Sequence, residues 1–329
     1  MKKAIIRAAT LLLSASLLLT ALSGCGEKPP VEETPTEEPT AQTDIFIGGG
    51  PNSGVFYIVG AAMASVINEN SSTLIANVES TGASAENMLL TNAGDTDFGF
   101  TSSDILYCSS RGEREYESGE KYENLRLAMV GYSAPFHIIV RKDSGINSVE
   151  DLKGKVIASN TGITSSYQTP AILSAFDITT DDYTSLPLSP ADCCTALQDG
   201  TADAIIINLG VPAAQITDLA TNIPVKLLGL GDKIEKVCND NPYFFADEIP
   251  AGSYNGQDED ISTVTLRIML ACNKDVPDDV VYEFCDIVYS NTEELGGIHP
   301  SAAAFTPEMT KENIMIDLHP GAQRWLDEH

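Results

Sequence analysis

The feature that most constrains the fold is a glycine-rich segment between a short apolar run and an amphipathic helical pattern. Ile45 to Ile47 form the apolar run, Gly48 to Gly54 form the loop, and Val55 opens the helical pattern. A strand that passes through such a loop into a helix points unpaired backbone N–H groups and the positive end of the helix dipole at the loop. The segment therefore predicts an α/β fold with an anion-binding turn. Because the spacing matches neither G-x-G-x-x-G nor a Walker A motif, a purely structural turn stays open as an alternative.

The first 25 residues have the pattern of a lipoprotein signal peptide. Lys2, Lys3 and Arg7 precede an apolar run that is too short to span a bilayer, and Leu-Ser-Gly-Cys follows at 22–25. We therefore predict cleavage before Cys25, lipidation of Cys25, and an extracytoplasmic protein anchored to the cell membrane. An ordinary signal peptide with a coincidental cysteine would also place the chain outside the cytoplasm.

Residues 26–43 are rich in Glu, Pro and Thr and predict a disordered tether. The remaining residues, 44–329, are long enough for two domains, and a hydrophobic content of 43% supports buried cores. The formal net charge is −28, and it becomes −31 once the three cations of the signal peptide are removed. Such an acidic chain disfavours nucleic acid as a partner and leaves anion binding to local dipoles and hydroxyls.

The cysteines show no C-x-x-C spacing and no pairing with histidine at metal-ligand distance. We therefore expect no metal, no cofactor and no obligatory disulfide framework. Cys193 and Cys194 are adjacent, which disfavours a bridge between them. Cys272 and Cys285 lie in apolar contexts and are predicted to be buried small hydrophobic residues.

Strand-like runs alternate with helical patterns along the chain, which predicts βαβ units and mostly parallel sheets. The predicted strands are Ile45–Ile47, Leu74–Glu79, Phe98–Thr101, Val156–Ser159 and Ala204–Ile207. The predicted helices are Val55–Asn68, Ser84–Ala93, Asp104–Ser110, Tyr167–Phe176, Ala191–Asp199 and Pro277–Ser290. Leu125–Val140 is interrupted by Gly131 and Pro135 and is too long for one ordinary strand, so it is predicted to cross between two lobes. Val264–Cys272 is the predicted return crossing.

A second polar loop, from Asn160 to Ser166, repeats the layout of the first loop between a strand and a helix start. The two loops would then face each other across a cleft between the lobes.

Five motifs together resemble the TAXI family of TRAP-transporter solute receptors. They are Gly48–Tyr57, Ser80–Asn87, Phe100–Asp104, Val149–Lys155 and His319–Ala322. The resemblance runs in order from about residue 44 to the C-terminus. The first loop departs from the glycine-threonine pattern common in the family, and so does Thr161–Thr164, which leaves the solute open.

The resemblance implies a two-lobe, type II-like periplasmic-binding-protein fold, in which each lobe is a mostly parallel sheet flanked by helices. Lobe 1 would contain residues 44–137 and 265–329, and lobe 2 residues 138–264. It also implies a non-enzymatic, monomeric receptor that captures a carboxylate such as glutamate or 2-oxoglutarate, or an amino acid, and delivers it to the subunits of a TRAP-type permease.

The candidate ligand-binding residues come from the loops that follow the predicted strands. In lobe 1 they are Ser53, Gly54, Val55, Tyr57, Thr81, Ser84, Ser102, Ser103 and Asp104, and in lobe 2 they are Thr161, Gly162, Thr164, Ser165 and Asn208. Strand ends at the carboxyl edge of an open α/β sheet are where ligands usually bind. Ser53, Gly54 and Val55 would offer backbone N–H groups to a carboxylate, and Tyr57 an aromatic wall.

Several candidates have a structural alternative. Ser84 is either a helix N-cap or a ligand contact, or both. Asp104 is predicted to cap the next helix; if it faces the cleft instead, it selects an amino or hydroxyl group on the solute. His137 is expected to be a core residue, His299 and His319 are expected to be helix-start or turn residues, and Trp325 to anchor the last helix.

Two other functions fit parts of the sequence. A sensor on the same fold would pass its signal to a membrane receptor, and a neighbouring gene for a sensor kinase rather than a permease would favour it. A secreted serine hydrolase is the second alternative, although no G-x-S-x-G motif is present.

Overall fold

The computed structural model describes residues 42–113 and 120–329. The predicted signal peptide, the lipidation site Cys25 and nearly all of the predicted tether lie outside the described residues. Within the described ranges, no helix combines the length and the apolar character that crossing a bilayer requires.

Three βα units form the first part of the chain, as the alternating pattern predicts. The strands are β1 (Thr43–Gly50), β2 (Leu74–Ser80) and β3 (Phe98–Ser102), and the helices are α1 (Val55–Asn70), α2 (Ser84–Ala93) and α3 (Ser103–Arg111). β1 pairs in parallel with both β2 and β3. The carboxyl ends of the three strands therefore meet at one edge of the sheet.

A long strand, β4 (Leu125–Arg141), leads into a second set of elements. They are β5 (Val156–Asn160), α4 (Thr169–Ser174), β6 (Thr184–Leu188), α5 (Pro190–Asp199), β7 (Ala204–Asn208), α6 (Ala214–Asn222), β8 (Val225–Leu227), α7 (Ile234–Asp240) and β9 (Phe245–Ile249). The chain then returns through β10 (Ile261–Asn273) and ends with α8 (Asp278–Ser290), α9 (Thr292–Ile298), α10 (Pro307–Glu312) and α11 (Pro320–Glu328).

The strands follow one hydrogen-bonded path in the order β2-β1-β3-β10-β4-β7-β5-β6, with β8 on β4 and β9 on β10. β4 changes partner along its length: residues up to Pro135 pair with β10, and residues from Phe136 pair with β7. We call β1, β2, β3, β10 and residues 125–135 of β4 the first strand group. We call β5, β6, β7, β8 and residues 136–141 of β4 the second strand group.

The prediction that Leu125–Val140 is too long for one strand is wrong, because β4 is continuous through Gly131 and Pro135. Pro135 lacks an N–H, but it lies at the change of partner, where the loss of one ladder bond costs least. β4 pairs with β10 up to Pro135 and with β7 from Phe136, and β10 also pairs with β9 at its start. The prediction that Leu125–Val140 crosses between two lobes stays a prediction.

A second difference lies at the start of the predicted helix Tyr167–Phe176. The chain forms one π-helical turn over Thr164–Gln168 before α4 begins at Thr169. Single π turns are frequent at functional sites because they turn side chains away from the α-helical register. Thr164, Ser165 and Gln168 are the buried residues of this turn.

Four side chains with structural predictions lie where the sequence placed them. His137 is buried and its Nε2 lies 2.9 Å from the Tyr254 hydroxyl. His299 and His319 are each the N-cap of a helical segment, where the ring nitrogen accepts a backbone N–H. Trp325 holds α11 against α8, since its Nε1 donates to the Asp286 carboxylate at 2.9 Å. The predicted burial of Cys272 and Cys285 is also confirmed.

Replacing Gly131 by alanine is expected to lower the free energy of unfolding by about 1–3 kcal/mol, as overpacking of a core does. A Cβ on Gly131 would overlap the ring of Phe305, which is fully buried and packs edge-on against Phe100. Urea unfolding measures the effect. The control is Gly210→Ala, whose Cβ would meet nothing within 4 Å; equal stability of the two variants would contradict the prediction.

Candidate functional site

The carboxyl edge of the first strand group is organised by Thr81, which follows β2. Its Oγ1 accepts the N–H of Gly50 at 2.9 Å and donates to Oδ1 of Asn87 at 2.5 Å. Nδ2 of Asn87 donates in turn to the carbonyl of Phe100 at 2.7 Å. Thr81 and Asn87 therefore join the ends of all three parallel strands. The glycine loop lies beside the start of α2.

The glycine loop itself is mostly exposed. Ser53 and Val55 face solvent, and Tyr57 is half-buried in the first turn of α1, close to Gly49. The N–H of Gly54 donates to the carbonyl of Pro51 at 2.7 Å, so this amide is already satisfied within the loop. Val55 opens α1, where the first backbone N–H groups have no partner within the helix.

The predicted N-cap role of Ser84 is wrong. The N-cap of α2 is Ala83, which has a φ of +75°, and Ser84 is the first helical residue. The preceding amide, of Gly82, donates to the Glu86 carboxylate. Glu86 lies in the first turn of α2, so its carboxylate accepts a backbone N–H just before this helix, where Ser84 was one candidate for the cap.

The predicted cap role of Asp104 is also wrong, because Ser102 is the N-cap of α3 and no side chain caps this helix. Asp104 is fully buried in the first turn of α3. Its Oδ1 accepts the Ser102 hydroxyl at 2.6 Å, and its Oδ2 accepts Nε2 of Gln168 at 2.7 Å. The side chain thus contacts Gln168 in the loop that follows β5, and the alternative that Asp104 faces a ligand cleft stays a prediction.

On the side of the second strand group, Gln168 is held by its own π turn. Oγ1 of Thr164 donates to Oε1 of Gln168 at 2.9 Å and also lies 3.5 Å from Oδ1 of Asn208 at the end of β7. Nδ2 of Asn160, at the end of β5, lies 3.5 Å from the same oxygen. We call Ser102, Asp104, Gln168, Thr164, Asn208 and Asn160 the cross-group network. It connects strand ends of the two groups by a continuous series of polar contacts.

The other predicted residues of the second loop lie outside this network. Thr161 and Gly162 are exposed, and the N–H of Thr161 donates to the carbonyl of Leu188. Ser165 is buried and donates to the carbonyl of Gly162 at 3.0 Å, within its own loop. Of the predicted residues in this loop, Thr164 is therefore the one that belongs to the cross-group network, through Gln168 and Asn208.

Ser103, at the start of α3, contacts two residues that lie much later in the chain. Its buried hydroxyl donates to the carbonyl of Tyr243 at 2.8 Å and accepts the N–H of Arg267 at 3.2 Å. Tyr243 precedes β9, and Arg267 lies in β10 next to a register shift against β4. The hydroxyl therefore ties α3 to the segment where the chain returns to the first strand group.

Arg267 is a mostly buried cation that sequence reasoning missed. Its guanidinium donates to Oδ1 of Asn313 at 3.3 Å and to the Ser133 hydroxyl, and it lies 3.9 Å from the Asp247 carboxylate. Burial lowers the pKa of the guanidinium, which the neighbouring carboxylate of Asp247 opposes. The sequence did contain a signal for Arg267: it is the one charged residue in a segment of mostly apolar and hydroxyl-bearing residues. Such a group suits the binding of a carboxylate where the strand groups meet.

Three buried polar atoms near the second loop have no partner in the described residues. They are Oγ of Ser159, Oδ1 of Asn160 and Oγ1 of Thr169. Buried polar atoms in folded proteins nearly always have a hydrogen-bond partner. The three atoms lie on either side of the π turn, at the end of β5 and the start of α4.

Gln168 and Asn160 were also missed by sequence reasoning. Gln168 lies four residues after Thr164, which puts both on one side of a helical turn. That spacing was a usable signal, but the partner of Gln168 is Asp104, 64 residues earlier in the chain. Asn160 directly precedes the predicted loop residue Thr161 and ends its strand, as Asn208 does.

Solved structures of similar fold are solute-binding proteins. A TctC solute-binding protein from Polaromonas is 16% identical, with a TM-score of 0.53 over 80% of this chain and 89% of that one. The periplasmic aliphatic sulphonate-binding protein SsuA from Escherichia coli is also 16% identical, with a TM-score of 0.50 over 88% of this chain and 84% of that one. These similarities confirm the predicted type II-like periplasmic-binding-protein fold.

The comparison with family models gives a match that spans most of the chain. The model of the NMT1-like family matches residues 47–329, from within β1 to the last residue. This range contains the three parallel strand ends, the crossing strands β4 and β10, and the whole cross-group network. The chain therefore belongs to the NMT1-like family.

Proposed function

We propose that the chain is an extracytoplasmic solute-binding receptor of the TAXI type, anchored to the membrane through a lipid on Cys25. It captures a small carboxylate solute, such as glutamate, 2-oxoglutarate or a related acid, and delivers it to a TRAP-type permease. The observation that carries the proposal is the cross-group network, because a series of polar contacts between two sets of strand ends is where a closing receptor would hold a solute.

The proposed lobes are residues 44–137 with 265–329, and residues 138–264. The change of partner within β4, between Pro135 and Phe136, supports a division close to the first of these boundaries. β10 supports the second, since residues 261–265 pair with β9 and the following residues pair with β3 and β4. Two connecting strands allow the lobes to move while each keeps its own sheet.

Reversible binding rather than catalysis is supported by what the polar groups contact. The network contains hydroxyls, amides and one carboxylate, and in the described ranges none of the histidine ring nitrogens contacts a serine hydroxyl. Arg267 supports an anionic group on the solute, because it is a cation held at the junction of the strand groups. The two proteins of similar fold are solute-binding proteins, which is consistent with this role.

The proposal is tested by a thermal-shift screen followed by calorimetric titration. The purified protein is screened against amino acids, dicarboxylates, 2-oxo acids and aliphatic sulfonates. A solute at about 100 times its dissociation constant adds about 2.7 kcal/mol to the free energy of unfolding. We expect one carboxylate class to stabilise the protein, and Thr164→Val to weaken that binding at least about tenfold, since it removes a hydroxyl from the network.

The matched control is Thr195→Val, which changes an exposed threonine on α5 whose hydroxyl bonds only to the carbonyl of Ala191. Its affinity should equal that of the unchanged protein. No stabilisation by any carboxylate, or equal loss in both variants, would overturn the proposed function. Uptake into proteoliposomes with TRAP permease subunits, dependent on added receptor, would test delivery.

A further inference from the structure

Asp104 is an acidic group buried at the meeting point of the two strand groups. The side chain has no exposed surface, and its two oxygens accept hydrogen bonds from a hydroxyl and an amide, both uncharged. A buried carboxylate is costly unless it is paired with a positive charge. The positive end of the α3 dipole offsets part of the charge, because Asp104 lies in the first turn of that helix.

No cation of the described residues forms an ion pair with Asp104. Arg267 is the basic residue tied to the same helix start, through the Ser103 hydroxyl. Its guanidinium is directed to Asn313, Ser133 and Asp247 instead. The carboxylate of Asp104 is therefore left without a counter-charge from the protein's own described side chains.

Two amide oxygens of the cross-group network have no short hydrogen bond. Oδ1 of Asn160 is buried and receives no hydrogen bond. Oδ1 of Asn208 is approached by two groups, each at 3.5 Å, which is the long limit of a hydrogen bond. A molecule that completes this network must bring N–H or O–H donors.

Two amides in the loops after β1 and β2 already have acceptors, and the amide of Gly54 is one of those expected to hold an anion. The N–H of Gly54 bonds to Pro51, and the N–H of Gly82 bonds to the Glu86 carboxylate. A second carboxylate placed beside Asp104 would meet negative charge with few free donors.

We propose that Asp104 is a specificity-determining residue that binds a protonated amino group of the solute. The inference rests on the proposed receptor function and narrows it: the solute is an amino acid rather than the corresponding 2-oxo acid. Gln168 holds the Asp104 carboxylate from the opposite strand group, so recognition of the ammonium group is joined to the contact between the groups.

The test compares amino acids with their 2-oxo acids, which differ only at the group that Asp104 would contact. The pairs are glutamate with 2-oxoglutarate, alanine with pyruvate, valine with 2-oxoisovalerate, and phenylalanine with phenylpyruvate, each measured by calorimetric titration. For the pair that binds, we expect the amino acid to bind about ten- to a hundredfold more tightly, as hydrogen bonds to charged groups do.

Three variants test whether the preference for the amino acid over its 2-oxo acid depends on Asp104. Asp104→Asn should lose the preference while it still binds the 2-oxo acid, which also shows that the variant is folded. Gln168→Ala keeps the charge of Asp104, so it should keep the ratio of the two affinities even if both fall. Asp258→Asn removes an exposed carboxylate and should change nothing.

The outcomes separate this inference from the proposed function. Equal or tighter binding of the 2-oxo acid by the unchanged protein would overturn the role of Asp104 and leave the receptor function standing. An unchanged preference in Asp104→Asn would do the same. No binding by either member of any pair would overturn the proposed carboxylate receptor itself, and this inference with it. The comparison with unchanged protein decides the preference even if Asp104→Asn does not fold.

Discussion

Replacing Phe284 by alanine is expected to lower the free energy of unfolding by about 3–5 kcal/mol. Phe284 is fully buried on the inner face of α8 and stacks on Phe98 of β3, with ring centroids 4.2 Å apart. The substitution removes buried apolar surface, the ring stacking and the volume that joins the C-terminal helices to the first strand group. Urea unfolding followed by circular dichroism measures the loss.

The control for this prediction is Leu89→Ala on α2, because Leu89 is 42% exposed. Its effect should stay within about 0.5 kcal/mol, as is usual for surface positions. A loss below about 1 kcal/mol in Phe284→Ala would show that the C-terminal helices contribute little to the core of the first strand group.

Acidification from pH 6.5 to pH 4 is expected to destabilise the fold by about 3 kcal/mol through His137 alone. Burial lowers the pKa of His137 to about 4, and hydrogen bonds to backbone groups oppose that shift. In this window the unfolded chain binds a proton that the folded chain does not, so stability falls as the pH falls. Burial also lowers the pKa of His319, which adds a loss of the same sign.

Urea unfolding at several pH values tests this expectation. His137→Gln cannot titrate but can still bond to Tyr254, so its stability should depend less on pH between 6.5 and 4. Thr195→Val changes no titratable group, so it is the control and should keep the full dependence. Acidic groups whose pKa is lowered, such as Asp151 and Asp182, lose their contribution only at lower pH. Parallel pH profiles for the unchanged protein and His137→Gln would contradict the prediction.

The sequence predicts those elements whose ends carry local signals. α2 spans the predicted residues Ser84–Ala93, because Gly94 adopts the left-handed conformation that ends a helix. β4 was predicted less well, since Gly131 and Pro135 are usual signs of interruption. Gly131 is there because the Phe305 ring packs on its backbone, and Phe305 is distant in the sequence. No local pattern contains that requirement.

The candidate site was predicted in part for the same reason. The strand ends that carry Ser102, Thr164 and Asn208 follow from the alternation of strands and helices, and all three residues belong to the cross-group network. The orientation of Asp104 depends on Gln168, and its cap role was the wrong choice between two local readings. Arg267 was missed because its partners come from β4, β9 and the end of α10.

The continuous strands β4 and β10 have a mechanical consequence for a receptor that opens and closes. Both strands run through the junction between the strand groups, with register shifts beside Arg267 and a proline at the change of partner. Each strand also has a partner of its own at this point, β7 on β4 and β9 on β10. If the proposed receptor opens and closes, its opening would then be a twist spread over several residues of both strands rather than a rotation at one residue.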